Sequence, residues 1–157
     1  MEINQGRVTA EIEGDFVVFL IGARPNPLRV IRSLRDLGGE RGMKYMLDYL
    51  SKQPEIGLLG YQQFGIGTWV QYWRSFEHLE AFAKNQDDPH LAAWRNYFKR
   101  VGSSGRTGIW HETFLVRAGE FEVIYTNMPT FGLAKASKVV PIAESVAARD
   151  RLKAKSV

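Results

Sequence analysis

Residues 16–23 carry only apolar side chains and one glycine, with Phe16, Val17, Val18, Phe19, Leu20 and Ile21 filling both strand faces. Such a run predicts a buried central strand, and Pro25 and Pro27 end it. Asn26 followed by Pro27 reads as a cap and first turn, so a helix is expected to begin there. Leu28, Ile31 and Leu34, then Met43, Met46, Leu47 and Leu50, recur at helical spacing. Gly38, Gly39 and Gly42 separate the two groups, which predicts two helical pieces rather than one rod. Pro54 stops the second piece. Residues 56–64 and 68–74 then form two strand-like runs joined by Gly65, Ile66 and Gly67, a hairpin pattern. Ser75 caps a helix from Phe76 to about Asn85, with Phe76, Leu79, Phe82 and Ala83 on one face. After a polar break, Asp88 is the expected cap of a helix from Pro89 to about Val101, closed by Gly102. Residues 109–116 predict a strand, and a turn at 118–120 leads to residues 121–125 as its hairpin partner.

The order strand, helix, strand, strand, helix, strand is the split βαβ pattern. It predicts an α+β, ferredoxin-like fold, an antiparallel sheet with helices on one face. The other face then carries its own aromatic and aliphatic residues along 16–20, 69–73 and 110–114. These need cover from a partner chain or a ligand, and a homodimer packing through the open sheet face satisfies that need. Residues 1–157 read as a single domain. The tail from about residue 142 is expected to be mobile or to wrap the partner. No solenoid-period repeat is evident.

Composition removes several functions. The 157 residues contain no cysteine, which excludes disulfides, thiolate metal ligands and a cysteine nucleophile. A formal charge of +4, from 21 basic and 17 acidic residues without a dense basic block, makes nucleic acid an unsuitable partner. The longest apolar run falls short of the roughly 18–20 residues that span a bilayer, and no signal pattern opens the chain. No membrane partner is expected, and a cytoplasmic protein acting on a small-molecule substrate is the default.

The chain has three histidines, at 78, 90 and 111. His90 sits in the first turn of its helix, either facing solvent or held as a ligand by a rigid helix start. His111 shares a sheet face with Ile109, Thr113 and Leu115, while Glu112 points the other way. It either hydrogen-bonds within the core or acts as a general acid or base, since an unperturbed imidazole titrates at about 6.5. His78, on the polar side of its helix, is assigned no role. Arg24 and Arg74 end two strands and either pair with carboxylates at the rim or direct a charge into a pocket. No P-loop, dinucleotide fingerprint, nucleophile elbow or zinc-protease motif occurs. The four tryptophans read as core and interface.

A resemblance adds to this picture. The stretch 70–82, Pro89-His90-Leu91, residues 108–114, residues 121–129 and Phe131-Gly132-Leu133 together resemble a family of small monooxygenase-like proteins of the dimeric α/β-barrel superfamily. The likeness runs from about Gly6 to Pro141. The same stretch is similar, more distantly, to the carboxy-terminal half of haem-containing aldoxime dehydratases. Here His90-Leu91, Trp110-His111-Glu112, residues 121–125 with Asn127, and Phe131-Gly132-Leu133 fall in matching order. That second resemblance implies haem b as cofactor, His90 as the proximal iron ligand and His111 as the distal acid-base catalyst. If haem is held there, the aromatic sheet residues Trp73 and Trp110 are the expected porphyrin wall, and Arg24 and Arg74, from their strand ends, are the further catalytic candidates. Thr130-Phe131-Gly132 and Met128-Pro129 depart from the dehydratase pattern, and those enzymes are about twice this length.

Three functions follow. One is a haem enzyme, a lyase converting an aldoxime to a nitrile or an oxygenase. Another is a cofactor-independent monooxygenase in which His111, with Arg24 or Arg74, manages protons on an electron-rich aromatic. The third is a non-catalytic carrier of haem or a small ligand.

Overall fold

The computed structural model describes residues 2–142 and 147–155. Four strands, β2 (Phe16–Arg24), β3 (Leu58–Phe64), β4 (Thr68–Trp73) and β5 (Gly108–Val116), form one antiparallel sheet in the order β3-β4-β2-β5. That order, with helices between β2 and β3 and between β4 and β5, is the ferredoxin-like arrangement. The apolar run of β2 is central, as its two-sided hydrophobicity requires. Val17 sits between Trp73 and Leu115, and Ile21 between Trp69 and His111.

On one face of this sheet lie α1 (Val30–Asp36), α2 (Met43–Leu50), α3 (Phe76–Lys84) and α4 (Pro89–Val101). The glycines at 38, 39 and 42 break α1 from α2 as expected. Val17, Leu50, Trp73, Leu79 and Phe82 are packed together on this side, with Phe19, Tyr49 and Leu58 against them. Ser75 caps α3, its hydroxyl accepting the His78 backbone N–H at 3.4 Å.

The opposite face departs from expectation. Much of it is covered by the chain itself, through β1 (Asn4–Glu11), β6 (Tyr125–Met128) and β7 (Lys138–Pro141), a second antiparallel sheet ordered β6-β1-β7. Ala10, Phe16, Tyr72 and Leu133 form the buried centre, with Val18, Val70, Phe121, Val123 and Tyr125 around them. Residues 121–124 are therefore no hairpin partner of β5. They cross the sheet as irregular chain, Phe121 meeting Phe16 edge-on at 5.2 Å and the Val123 carbonyl accepting the Thr9 hydroxyl at 2.7 Å. β1 bulges between Asn4 and Arg7, where Gly6 takes a positive φ of 75° and its N–H donates to Asn127 Oδ1 at 2.9 Å.

The tail packs on its own chain up to residue 142, and α5 (Ala148–Lys155) is tied down where Arg151 Nε donates to Glu122 Oε1 at 2.8 Å. The expectation of a mobile tail falls otherwise on residues 143–146 and 156–157, outside the described residues. No helix among the described residues is long and apolar enough to cross a membrane.

Between the two sheets Tyr72 is 8% exposed, and burial, with the Tyr125 phenol nearby as a lesser cause, pushes its pKa up to about 12. The neutral phenol is what the fold tolerates. Stability from this site is complete below the unfolded pKa of about 10 and is lost as pH rises from there towards 12. Unfolding free energies from urea titrations between about pH 9.5 and 11.5 should fall with a slope of up to about 1.4 kcal/mol per pH unit from this residue. Tyr72→Phe should flatten that fall, and an unchanged slope in the variant would place the alkaline sensitivity elsewhere.

Candidate functional site

His90 lies in the first turn of α4, half-buried, with its ring 5.7 Å from Phe82 and 6.4 Å from Trp94, nearly parallel to the latter at 13°. Its Nδ1 is 3.1 Å from the Ala83 carbonyl oxygen. A carbonyl only accepts, so Nδ1 is the donor here, and in the neutral ring Nε2 then keeps its lone pair.

The start of α4 is not fixed in the expected way. Asp88 makes no side-chain cap to the helix. It is 6% exposed, and its carboxylate instead accepts the Tyr49 hydroxyl at 2.6 Å and Asn85 Nδ2 at 2.9 Å. That hydrogen bond is the main reason the Tyr49 phenol sits above its ordinary value. Tyr49 thus anchors α2 to the corner that carries His90. Sequence spacing gave no sign of this link, which joins residues 39 apart.

His111 occupies the helix-side face of β5, opposite Ile21, with its ring 5.3 Å from Phe19 at a 32° tilt. The expected sharing of this face with Ile109, Thr113 and Leu115 holds, as does the outward direction of Glu112. The helices cover β4 and β2 but leave β5 open. Trp73 and Val17 are buried, whereas His111, Thr113 and Leu115 in the adjoining strand are exposed. The result is an open shelf with a phenyl floor at Phe19 and one titratable ring standing on it.

The other candidates do not gather there. Arg24 reaches along the α4–β5 loop, its Nη2 donating to the Gly105 carbonyl at 2.6 Å, and it alternates to the opposite face from Ile21 and His111. Arg74 is exposed beyond the end of β4, where its backbone N–H donates to the Gly57 carbonyl at 2.9 Å. Trp73 is completely buried, its indole N–H donating to Gln71 Oε1 at 2.9 Å. It shares the helix-side core with Phe82 and so approaches His90 through that ring, 5.7 Å on each side. Trp110 lies on the far face, directly over Gly22, where a Cβ would come within 2.4 Å of the indole nitrogen. Gly22 is thereby required by this close approach. His90, Trp73 and His111 therefore share one side of the sheet, and Trp110 and Arg24 the other.

Gln71 and Tyr72 follow one another along β4, so at most one of them is expected to face a pocket, and they do take opposite faces. Gln71 is 4% exposed on the same face as His111, with Nε2 directed at Met43 Sδ at 3.4 Å. Among the described residues no three His, Asp or Glu side chains come together as a metal site. A haem needs only one axial protein ligand. His90, with Nδ1 held by a backbone carbonyl, has the fixed tautomer that metal-binding imidazoles show, so the donor fits that role.

Comparison with known proteins agrees with this architecture. A monooxygenase af470 of Aspergillus fumigatus is 30% identical over 148 residues, covering 80% of this chain and 52% of the relative. The chain thus spans about half the length of that relative. A crystal structure of an aldoxime dehydratase in complex with butyraldoxime superposes with a TM-score of 0.65 over 85% of this chain and 40% of the other, at 18% identity. That likeness is one of fold. The family model described as Monooxygenase af470-like matches residues 16–133, from the first residue of β2 to the leucine buried beneath the second sheet, and the chain belongs to that family.

Proposed function

We propose that the chain is a monooxygenase of a small, electron-rich aromatic substrate held on the open shelf of β5, with His111 as its acid-base group. The observation that carries this reading is the placement of an exposed imidazole beside Phe19, on the face the helices leave uncovered. An imidazole there can take a proton from an activated CH2 group, and the resulting carbanion can reduce O2. Loss of water from the hydroperoxide, with the proton returned by the imidazolium, converts CH2 to C=O. One oxygen atom stays in the product and the other leaves as water, so the substrate supplies every electron. Phe19 offers a ring for the substrate to stack on. Arg24 and Arg74 lie away from the shelf and serve the rim in this reading.

A second reading, haem binding, is favoured by the His90 Nδ1 contact with the Ala83 carbonyl. His90 Nε2 would be the ligand, and His111 would be the group that holds a proton. Haem b bound there would supply an iron able to coordinate a small N–O or O–O group. A homodimer belongs to either reading. Trp110 and Phe114, 42% and 48% exposed on the outer face of β5, are not covered by the second sheet, and a second copy is the partner proposed for them.

Oxygen uptake by chelator-treated protein across a panel of anthrone- and phenol-type substrates tests the first reading. Uptake with one 18O atom entering the product from labelled O2 is expected. If oxidation appears only after haemin is added, with a Soret band that His90→Ala abolishes, the haem reading replaces it.

A further inference from the structure

Helix α1 is turned outward. Ser33 and Asp36, two of its four polar residues, are 1% and 3% exposed, whereas Leu28 just ahead of it and Ile31 within it are 91% and 86% exposed, and Leu34 is 55%. The polar pairs explain how the helix is held this way. Ser33 Oγ accepts the Asn26 backbone N–H at 2.8 Å. The Asp36 carboxylate accepts Arg106 Nε at 2.9 Å and Nη2 at 3.3 Å, and its carbonyl accepts Arg100 Nη2 at 3.0 Å. Arg106 is fixed in turn on the Arg100 carbonyl. An isolated apolar ridge of this kind in water calls for an occupant.

Its charge surroundings say which. A cavity of about 850 Å3 opens beside the ridge, with Leu28 and Ile31 as apolar wall and Arg32, Arg35, Arg100 and Arg106 as cationic wall. Among the described residues Asp36 is the only acid lining it, and it is already engaged by Arg106. Arg29, Arg32 and Arg35 are exposed and recur every third residue beside Leu28, Ile31 and Leu34. Arg100 Nε is buried without a hydrogen-bond partner among the described residues. Such a cavity is within the usual size of small-ligand sites, and guanidinium groups suit planar oxyanions.

We propose that this cavity binds an organic carboxylate with an extended apolar body, the carboxylate on Arg32 and Arg100 and the body along Leu28 and Ile31. The site is distinct from the β5 shelf and does not depend on what reacts at His111 or binds at His90. A membrane surface would meet the exposed arginines but would leave the concave wall at Arg100 and Arg106 unfilled.

Calorimetric titration of the full chain with monomeric decanoate, decyltrimethylammonium and acetate decides the matter. Decanoate is expected to saturate at one per chain, with the cation and acetate at least tenfold weaker. Arg32→Glu and Ile31→Asp, both at exposed positions that should leave the fold and its Tm intact, are expected to weaken decanoate at least tenfold, while His111→Ala leaves it unchanged. Equal binding of the cation, or decanoate binding indifferent to both variants, overturns the proposal. So does binding to phosphatidylglycerol vesicles without binding of monomeric decanoate, which makes the ridge a membrane contact. Self-association abolished by Ile31→Asp in a protein that ignores decanoate assigns the ridge to a second copy instead.

Discussion

Trp73→Ala is expected to lower the unfolding free energy by about 3–5 kcal/mol, the range for deleting a large buried aromatic. The residue is completely enclosed, against Val17, Leu50, Leu79 and Phe82, so the lost indole leaves a cavity in the one layer that joins sheet to helices. Its N–H also satisfies Gln71 Oε1, and Gln71 is itself 4% exposed. Truncation strands that oxygen, adding a cost of about 1–3 kcal/mol before any relaxation. Trp73→Phe keeps most of the packing and loses only the donor, so it should fall between wild type and Trp73→Ala. Trp110→Ala is the contrasting case. That indole is 42% exposed over Gly22, and its removal should cost about 1 kcal/mol or less. Urea denaturation of the three variants reads the difference. A loss below about 1.5 kcal/mol for Trp73→Ala would mean the core closes elsewhere, and Trp73 would return as a candidate ligand contact.

The difference between these two tryptophans shows what the sequence could and could not reveal. Period-two alternation correctly put His111 on one face with Thr113 and Leu115 and sent Glu112 to the other, because register in a strand is a local property. The two-sided apolar run of β2 was legible for the same reason. Helical periodicity found the stripe Leu28, Ile31 and Leu34 but not which stripe is buried. That was decided by Arg106, 70 residues beyond Asp36 in the chain. Residues 121–124 alternate like a strand, since Phe121, Val123 and Tyr125 do turn inward together. They nevertheless belong to no strand of either sheet. The strand that would receive them, β5, is an outer strand of its sheet, and the chain continues instead to β1. β1 itself was missed because its alternation is weak, with Asn4, Gln5, Gly6 and Arg7 opening it. It is specified by β6 and β7, which arrive more than a hundred residues later. The same cause hid the cover that the chain itself supplies to much of the sheet's second face. At the site, the histidines were found by type and place. The Tyr49–Asp88 bond that fixes the start of α4 was not, because a tyrosine on one helix and an aspartate at the start of another leave no shared local pattern.

Substituting His111 by alanine is expected to cut turnover of any substrate returned by the oxygen-uptake screen by about 10²–10⁴-fold, the usual contribution of a positioned acid-base group. Stability should change by no more than about 0.5 kcal/mol, as for other exposed positions away from the core. The separation between those two magnitudes is the informative part. The ring is exposed and meets Phe19 on one side only, so its loss opens no enclosed cavity. Nothing in the packing would convert a histidine deletion into a global effect. His111→Gln isolates the proton step further, since an amide keeps polarity at the same place but cannot carry a proton through the reaction. If Gln restores turnover to within about threefold of wild type, His111 orients the substrate by hydrogen bonding and its acid-base role is lost. If both variants fall together while the substrate KM holds, the imidazole acts in the transition state rather than in binding. A fall in KM-dependent rate alone, with saturating turnover preserved, would instead make the Phe19 and His111 pair a binding surface. The reacting proton would then have to be handled by another group.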